Sequence, residues 1–197
     1  MNIILTAFEP FDDRDTNASL EVVNAFPDFF EGHHIKKVVL PVIYENFACE
    51  ELFNDIDIDL LILCGEAANR EKIALEVVSV NMMYASIPDN FGIYKNGGKV
   101  VSDGPDAYLT NIDLLEVNKQ LNLSNVYLSF SAGTFICNLC YYKSLHTIKI
   151  ENRDTLCCFV HFPLFKTNKL QEGIELKDGL SSLKAIIHQI IYSSKLV

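Results

Sequence analysis

The chain has 197 residues, of which 49% are hydrophobic and 21% are charged. This length and composition predict one domain over residues 1–197, with a core large enough to fold without disulfides or a structural metal. Sixteen Lys and Arg against 26 Asp and Glu leave a formal charge of −10, which disfavours nucleic acid and membrane surfaces as partners. Because the sequence has neither a basic leader nor an apolar run long enough for a membrane span, we expect a cytoplasmic protein whose six cysteines stay reduced.

The first part of the chain alternates between apolar runs and amphipathic segments. Buried strands are predicted at residues 3–8, 38–42 and 60–64. Helices are predicted at residues 18–26 and 45–54, and Asn17 can cap the first of them. This β-α-β-α-β order favours a parallel sheet covered by helices on both faces.

The remaining chain continues the alternation. Residues 72–81 are predicted to be extended, and further strands are expected at 126–130 and 156–162. Further helices are expected near residues 108–121, 134–146 and 179–193. The predicted fold class is therefore α/β, a three-layer sandwich with a mostly parallel twisted sheet and helices on both of its faces.

A polar arm over residues 82–105 interrupts this alternation. Asn96-Gly-Gly is predicted to be its hairpin tip. Its apolar side chains are more than a free loop should expose, namely Met82, Met83, Tyr84, Phe91 and Tyr94. We therefore expect the arm to form part of a subunit interface or of a pocket rim.

Three residues near predicted strand ends could carry nucleophilic and acid–base chemistry. Ligands of open α/β sheets bind beyond the carboxyl ends of the strands. Cys137 follows such a strand and a turn, where Thr134 could cap a helix whose positive end favours the cysteine thiolate. His161 closes the strand at 156–162, from which its ring can project as a base. Glu76 lies among apolar residues and needs a partner or a proton.

Each of these residues also has a structural interpretation. A cysteine is most often a buried core residue, a single histidine is usually structural, and Glu76 could point outward from a strand. The spacing of Cys137, Cys140, Cys158 and His161 resembles a zinc site, and Cys137 with Cys140 resembles a redox pair. Geometry argues against both, because Cys158 and His161 would point to opposite faces of a strand and Cys140 would face the core.

Six short blocks, spread over nearly the whole chain, occur in a recognisable order. They are Thr6-Ala-Phe-Glu-Pro-Phe11, Gly65-x-Ala-x-x-Arg70 followed by Glu76 and Asn81, Ile87-Pro-Asp-Asn-x-Gly92, Gly104-Pro-x-Ala-Tyr108, Ser131-Ala-Gly-Thr-Phe-Ile-Cys-Asn138 and Phe159-Val-His-Phe-Pro163. With these blocks the chain resembles the pyroglutamyl peptidase I (pyrrolidone carboxyl peptidase) family of cysteine peptidases.

The resemblance implies a catalytic triad of Glu76, Cys137 and His161. It implies removal of the N-terminal pyroglutamyl residue from peptides, without metal or cofactor, by a cytoplasmic homo-oligomer, either a dimer or a tetramer. Phe8 and Phe11 would line the pocket for the lactam ring, since a small neutral ring favours apolar contacts. Backbone N–H groups near Cys137 would stabilise the oxyanion.

The sequence departs from the family pattern at several positions. These are Ala7 for a glycine, Asp12-Asp13 for a Gly-Gly pair, Ala18 for a proline and Ser86 for an arginine. Glu66 stands where some members have glutamine, so it could accept the lactam N–H as a pocket residue or be an exposed loop carboxylate. Two alternatives remain open, a non-catalytic family member that only binds and a thiol amidase for another substrate.

Overall fold

Nine strands and four α-helices are formed by the described part of the computed structural model, residues 1–45, 47, 49–54, 57–166 and 173–193. The strands are β1 (Ile3–Phe8), β2 (Phe29–Phe30), β3 (His33–Leu40), β4 (Leu60–Glu66), β5 (Ile73–Glu76), β6 (Val78–Val80), β7 (Ala107–Leu109), β8 (Val126–Ser129) and β9 (Leu156–Phe162). The helices are α1 (Ala18–Ala25), α2 (Leu114–Leu121), α3 (Ile136–Ile150) and α4 (Leu176–Ser193), with a 3-10 helix at Cys49–Phe53. Across these described ranges, no helix combines the length and the apolar character needed to cross a bilayer.

Seven strands form one sheet in the order β2-β3-β1-β4-β9-β5-β8, and β6 pairs with β7 in a separate small sheet. β3, β1, β4 and β9 run parallel to each other, which confirms the mostly parallel α/β fold. β5 is antiparallel to β9 and parallel to β8. β5 and β8 therefore run in the opposite direction to β1, β4 and β9.

Apolar side chains fill both faces of the large sheet, as expected for strands that are buried on two sides. One hydrophobic cluster joins alternate sheet residues to α1, α2 and α4. The other joins the intervening residues to α3 and the 3-10 helix. Cys158 belongs to the first cluster and Cys140 to the second, so the sheet itself separates two of the residues in the zinc-like spacing.

Several predicted boundaries differ from the structure. The strand expected at 38–42 is β3, which begins at His33 and ends at Leu40. A helix was expected at 45–54, and the structure has the 3-10 helix Cys49–Phe53 there. Residues 46 and 48 of that range lie outside the described residues. The helix expected from 108 begins at Leu114, because Asp113 caps it by accepting the Glu116 N–H at 3.0 Å.

The arm over residues 82–105 folds back on itself at a different place from the expected one. Asn96 bridges Tyr84, and the Met83 and Gly98 backbones are bonded at 2.9 Å, so Asn96-Gly-Gly lies at the base of the arm. The turn is formed instead at residues 89–93, where the Asp89 carboxylate accepts two backbone N–H groups. The turn of the arm thus forms where the Asp89 side chain accepts backbone hydrogen bonds, and not at the Gly-Gly pair.

Candidate active site

A buried carboxylate–histidine pair lies where β5 meets β9. Ala74 is opposite His161 in the antiparallel register, so Glu76 lies diagonally from His161 on the same face of the sheet. The Glu76 carboxylate accepts a hydrogen bond from His161 Nδ1 at 2.7 Å, and both side chains are almost fully buried. Because a carboxylate can only accept, Nδ1 carries the proton and Nε2 is left as the basic nitrogen.

Arg70 completes this group from the loop that precedes β5. Its Nη1 lies 2.6 Å from the same Glu76 oxygen, and its Nη2 donates to the Ser131 carbonyl at 3.0 Å. A buried carboxylate needs such a compensating charge. The sequence pattern marked Arg70 only as part of a motif, although the buried Glu76 was a signal that a cation should lie close by.

Cys137 reaches the same face of the sheet at the start of α3. A Cβ added at Gly65 would lie only 2.9 Å from Cys137 Sγ, so the sulfur rests directly over that glycine. Gly65 is the β4 neighbour of His161 in the parallel register. Sγ therefore lies over the strand next to that of His161 and on the same face of the sheet, and such strands are about 4.8 Å apart.

The helix start differs from the prediction in its cap. Phe135 occupies the N-cap position without a side-chain hydrogen bond, and the Thr134 hydroxyl donates instead to the Tyr84 carbonyl at 2.7 Å. Thr134 thus ties α3 to the arm. Cys137 is nevertheless in the first turn, and it is the only one of the six cysteines that is partly exposed.

The surroundings of Cys137 favour its thiol form. Burial raises its pKa to about 12, with the negative charges of Glu76 and Glu66 adding to the rise and Arg70 opposing it. Burial is also the largest effect on His161 and lowers its pKa, although the Glu76 contact acts in the other direction. Burial thus has a larger effect on the pKa of Cys137 than the positive end of the helix, which favours the thiolate.

A small apolar cavity adjoins the sulfur. Its walls include Phe8, Phe11, Val42, Glu66, Phe135 and Cys137. The ring centroids of Phe11 and Phe135 are 6.1 Å apart, and the cavity measures about 30 Å³. This volume suits about one water molecule, so a lactam ring can enter only if part of the wall moves.

Glu66 lines this cavity, yet its oxygens are engaged by the protein. It accepts the Ala18 backbone N–H at 2.7 Å and a hydrogen bond from Arg14 Nη1. Asn17 caps the same helix as predicted, by accepting the Ser19 N–H at 2.9 Å. The structure thus places Glu66 in the pocket wall rather than at the surface, as a second cap of α1 and the partner of Arg14.

The other departures from the family pattern lie around the pocket or in the arm. Asp12 and Asp13 adopt left-handed backbone angles, with φ of 58° and 55°. A Gly-Gly pair suits this conformation best, and aspartate is among the few other residues that tolerate it. Ser86 is exposed.

Within the described ranges, no three His, Cys, Asp or Glu side chains are grouped so as to hold a metal ion.

Comparisons with known proteins identify the family of this chain. The family model described as pyroglutamyl peptidase matches residues 1–191. A pyrrolidone-carboxylate peptidase of Thermosipho melanesiensis is 33% identical over 99% of this chain and 97% of its own length. The crystal structure of the pyrrolidone carboxyl peptidase of Fervidobacterium islandicum AW-1 is similar with a TM-score of 0.87, 29% identity, and coverage of 95% of this chain and 96% of that one. That of Pyrococcus furiosus gives a TM-score of 0.88 at 26% identity, covering 98% and 99% of the two chains. The chain belongs to the pyroglutamyl peptidase family.

Proposed function

We propose that this protein is a cysteine peptidase that hydrolyses the amide bond after an N-terminal pyroglutamyl residue, with Cys137 as nucleophile, His161 as general base and acid, and Glu76 as the group that orients His161. The observation that carries the proposal is the position of Cys137 Sγ over Gly65, beside a histidine whose Nδ1 is held by a buried carboxylate. Nucleophile, base and orienting group are the parts that acyl transfer requires.

In the acylation step, Sγ attacks the carbonyl carbon of the scissile amide while His161 Nε2 takes the thiol proton. The carbonyl oxygen becomes an oxyanion, which the free N–H groups of the first turn of α3 can stabilise. The C–N bond then breaks as the carbonyl re-forms, and Nε2 returns the proton to the leaving amine. A pyroglutamyl thioester on Cys137 and a shortened peptide result.

In the deacylation step, a water molecule loses a proton to Nε2 and attacks the thioester carbonyl. The C–S bond breaks, the thiol recovers the proton, and pyroglutamate leaves. His161 is transiently an imidazolium in both steps, and the Glu76 carboxylate stabilises that charge. Because the pKa of Cys137 is raised and that of His161 is lowered, the proton moves only as the bond to carbon forms.

The small cavity beside Cys137 supports pyroglutamate as the acyl group. Phe8 and Phe11 offer aromatic surface to a neutral five-membered ring, and Glu66 offers a carboxylate within the wall. The ring needs more room than the resting cavity provides. The residue 9–17 segment carries both Phe11 and Arg14, so its outward movement would open the wall.

A pair of chromogenic amides tests the proposal. The wild-type protein should hydrolyse pyroglutamyl p-nitroanilide and leave prolyl p-nitroanilide intact, since proline has the same ring size without the lactam carbonyl. Cys137→Ser should remove the activity, whereas Cys158→Ala, on the other face of the sheet, should retain it. Absence of hydrolysis by the folded wild-type protein, or full activity of Cys137→Ser, would refute the assignment.

We also propose that the protein is a cytoplasmic homo-oligomer, either a dimer or a tetramer. The arm supports this assembly, because Met82, Tyr84, Phe91 and Tyr94 are each at least half exposed in the single chain and free loops rarely show so much apolar surface. Sedimentation at micromolar concentration should give a dimer or tetramer. A stable monomer would argue against it.

A further inference from the structure

A second, larger cavity opens on the other side of the catalytic group. It measures about 590 Å³ and is lined by His161 and Arg70, by Tyr127 of β8 and by residues 129–133. Cys137 does not line it, whereas the small cavity is lined by Cys137 and not by His161. The two cavities therefore adjoin different members of the pair that performs the chemistry.

This division assigns each half of a substrate to one of the two cavities. The acyl half must become bonded to Cys137 Sγ, so it belongs in the small cavity. The leaving amine must receive its proton from His161, and proton transfer requires hydrogen-bond contact. The peptide chain that follows the scissile bond then extends from His161 into the larger cavity.

The walls of the larger cavity favour one class of leaving residue. Tyr127 and Phe130 present exposed aromatic rings, with relative exposures of 36% and 64%. The Arg70 guanidinium lies 6.0 Å from the Tyr127 ring centroid and is itself held by Glu76 and by Ser131. Arg70, which Glu76 holds, thus lies against the Tyr127 ring and fixes one wall of the cavity. Aromatic side chains of a substrate pair well with an aromatic wall of this kind.

We propose that this cavity binds the residue that follows pyroglutamate and selects peptides in which that residue is aromatic. The inference rests on the proposed function and extends it from the acyl half of the substrate to the leaving half. Tyr127 and Phe130 are then the residues that determine specificity.

The test compares two peptide amides that differ only in the leaving residue, pyroglutamyl-phenylalanine amide and pyroglutamyl-glycine amide. Both give the same acyl-enzyme, so differences in kcat/KM report binding and acylation and not deacylation. The wild-type protein should prefer the phenylalanine peptide by about tenfold. Phe130→Ala and Tyr127→Ala should each lower kcat/KM for it by about fivefold, while the glycine peptide changes by less than about twofold.

Phe29→Ala is the matched control, because Phe29 is an exposed phenylalanine of β2 at the opposite edge of the sheet from β8. It should leave both peptides unaffected. An unchanged preference in Phe130→Ala and Tyr127→Ala would overturn the inference but leave the proposed function standing. An equal loss for both peptides, together with a change in sedimentation, would also overturn it, by showing that the aromatic surface serves assembly. Failure of the wild-type protein to hydrolyse either peptide would overturn the proposed function and this inference with it.

Discussion

Replacing Gly65 with alanine should displace the sulfur of Cys137 while leaving the cysteine itself unchanged. The new Cβ would lie 2.9 Å from Cys137 Sγ and 2.8 Å from Cζ of Phe159, whereas ordinary contacts are 3.4–4 Å. Phe159 is fully buried, and its ring centroid lies 4.6 Å from that of His161. Because the ring has no room to yield, we expect the partly exposed sulfur to move by at least about half an ångström.

The size of the effect follows from that displacement. A misplacement of about 1 Å can cost about 10²-fold in rate, so kcat/KM of Gly65→Ala should fall by about 10-fold to 100-fold. Overpacking should also lower the free energy of unfolding by about 1–3 kcal/mol. Steady-state hydrolysis of pyroglutamyl p-nitroanilide gives the first quantity, and urea unfolding gives the second.

Gly32→Ala separates the two effects. Gly32 has φ of +82° and nothing within 4 Å of an added Cβ, so alanine there costs about 1 kcal/mol of backbone strain without approaching the site. This variant should lose stability and retain activity. If folded Gly65→Ala keeps kcat/KM within about twofold of wild type, where a displacement of this kind should cost far more, then Sγ does not rest over Gly65 and the derived alignment with His161 is wrong.

Three further predictions concern the charges of the site. Iodoacetamide should modify Cys137 first in the native protein. The labelling rate should rise about tenfold per pH unit beyond about pH 9, because the pKa of the thiol is raised to about 12. A labelling rate, followed by mass spectrometry, that reaches a plateau near pH 8 would contradict this. The acid limb of the pH profile of kcat/KM should lie below about pH 6.5, because burial lowers the pKa of His161 and keeps the imidazole neutral. Glu76→Gln should reduce kcat by about 10²-fold or more. An unchanged pH profile in Glu76→Gln would remove Glu76 from the mechanism. Arg14→Gln should lower kcat/KM by leaving the Glu66 charge uncompensated beside the thiol, whereas Glu66→Gln should not, since Glu66 raises the pKa of Cys137. Unchanged kcat/KM in both folded variants would show that the pair does not act on the thiol, and a loss in Glu66→Gln alone would show that the carboxylate itself is needed.

The strands with long apolar runs were predictable, and their relative directions were not. β1 and β9 have the predicted bounds, because an apolar run flanked by turn residues leaves little choice of limits. The apolar pattern of β5 is the same whichever way it runs, since a strand buried on both faces carries no mark of its direction. Only the pairing of Ala74 with His161 reveals that β5 runs against β9, and that pairing depends on residues far apart in sequence.

The candidate site divides in the same way. The sequence indicated Cys137, His161 and Glu76 by residue type and by the order of the motifs, and the structure brings the last two into hydrogen-bond contact. Gly65 and Arg70 belonged to a recognised block, but their tasks could not be predicted. A glycine is required at position 65 because other chain segments place the Phe159 ring and the Cys137 sulfur there, which no local pattern can encode.

Glu66 shows how a departure within the pocket can be compatible with the chemistry. A lone carboxylate beside Cys137 would oppose every step in which sulfur gains negative charge, and its burial would be costly. Here one oxygen accepts the Ala18 N–H at the positive end of α1, and the other binds Arg14. Arg14 also lies 5.6 Å from the Phe11 ring centroid, so the group that neutralises Glu66 contacts the pocket wall as well. One arginine thus neutralises Glu66 and also packs against the pocket wall, so the carboxylate beside the thiol keeps its compensating charge.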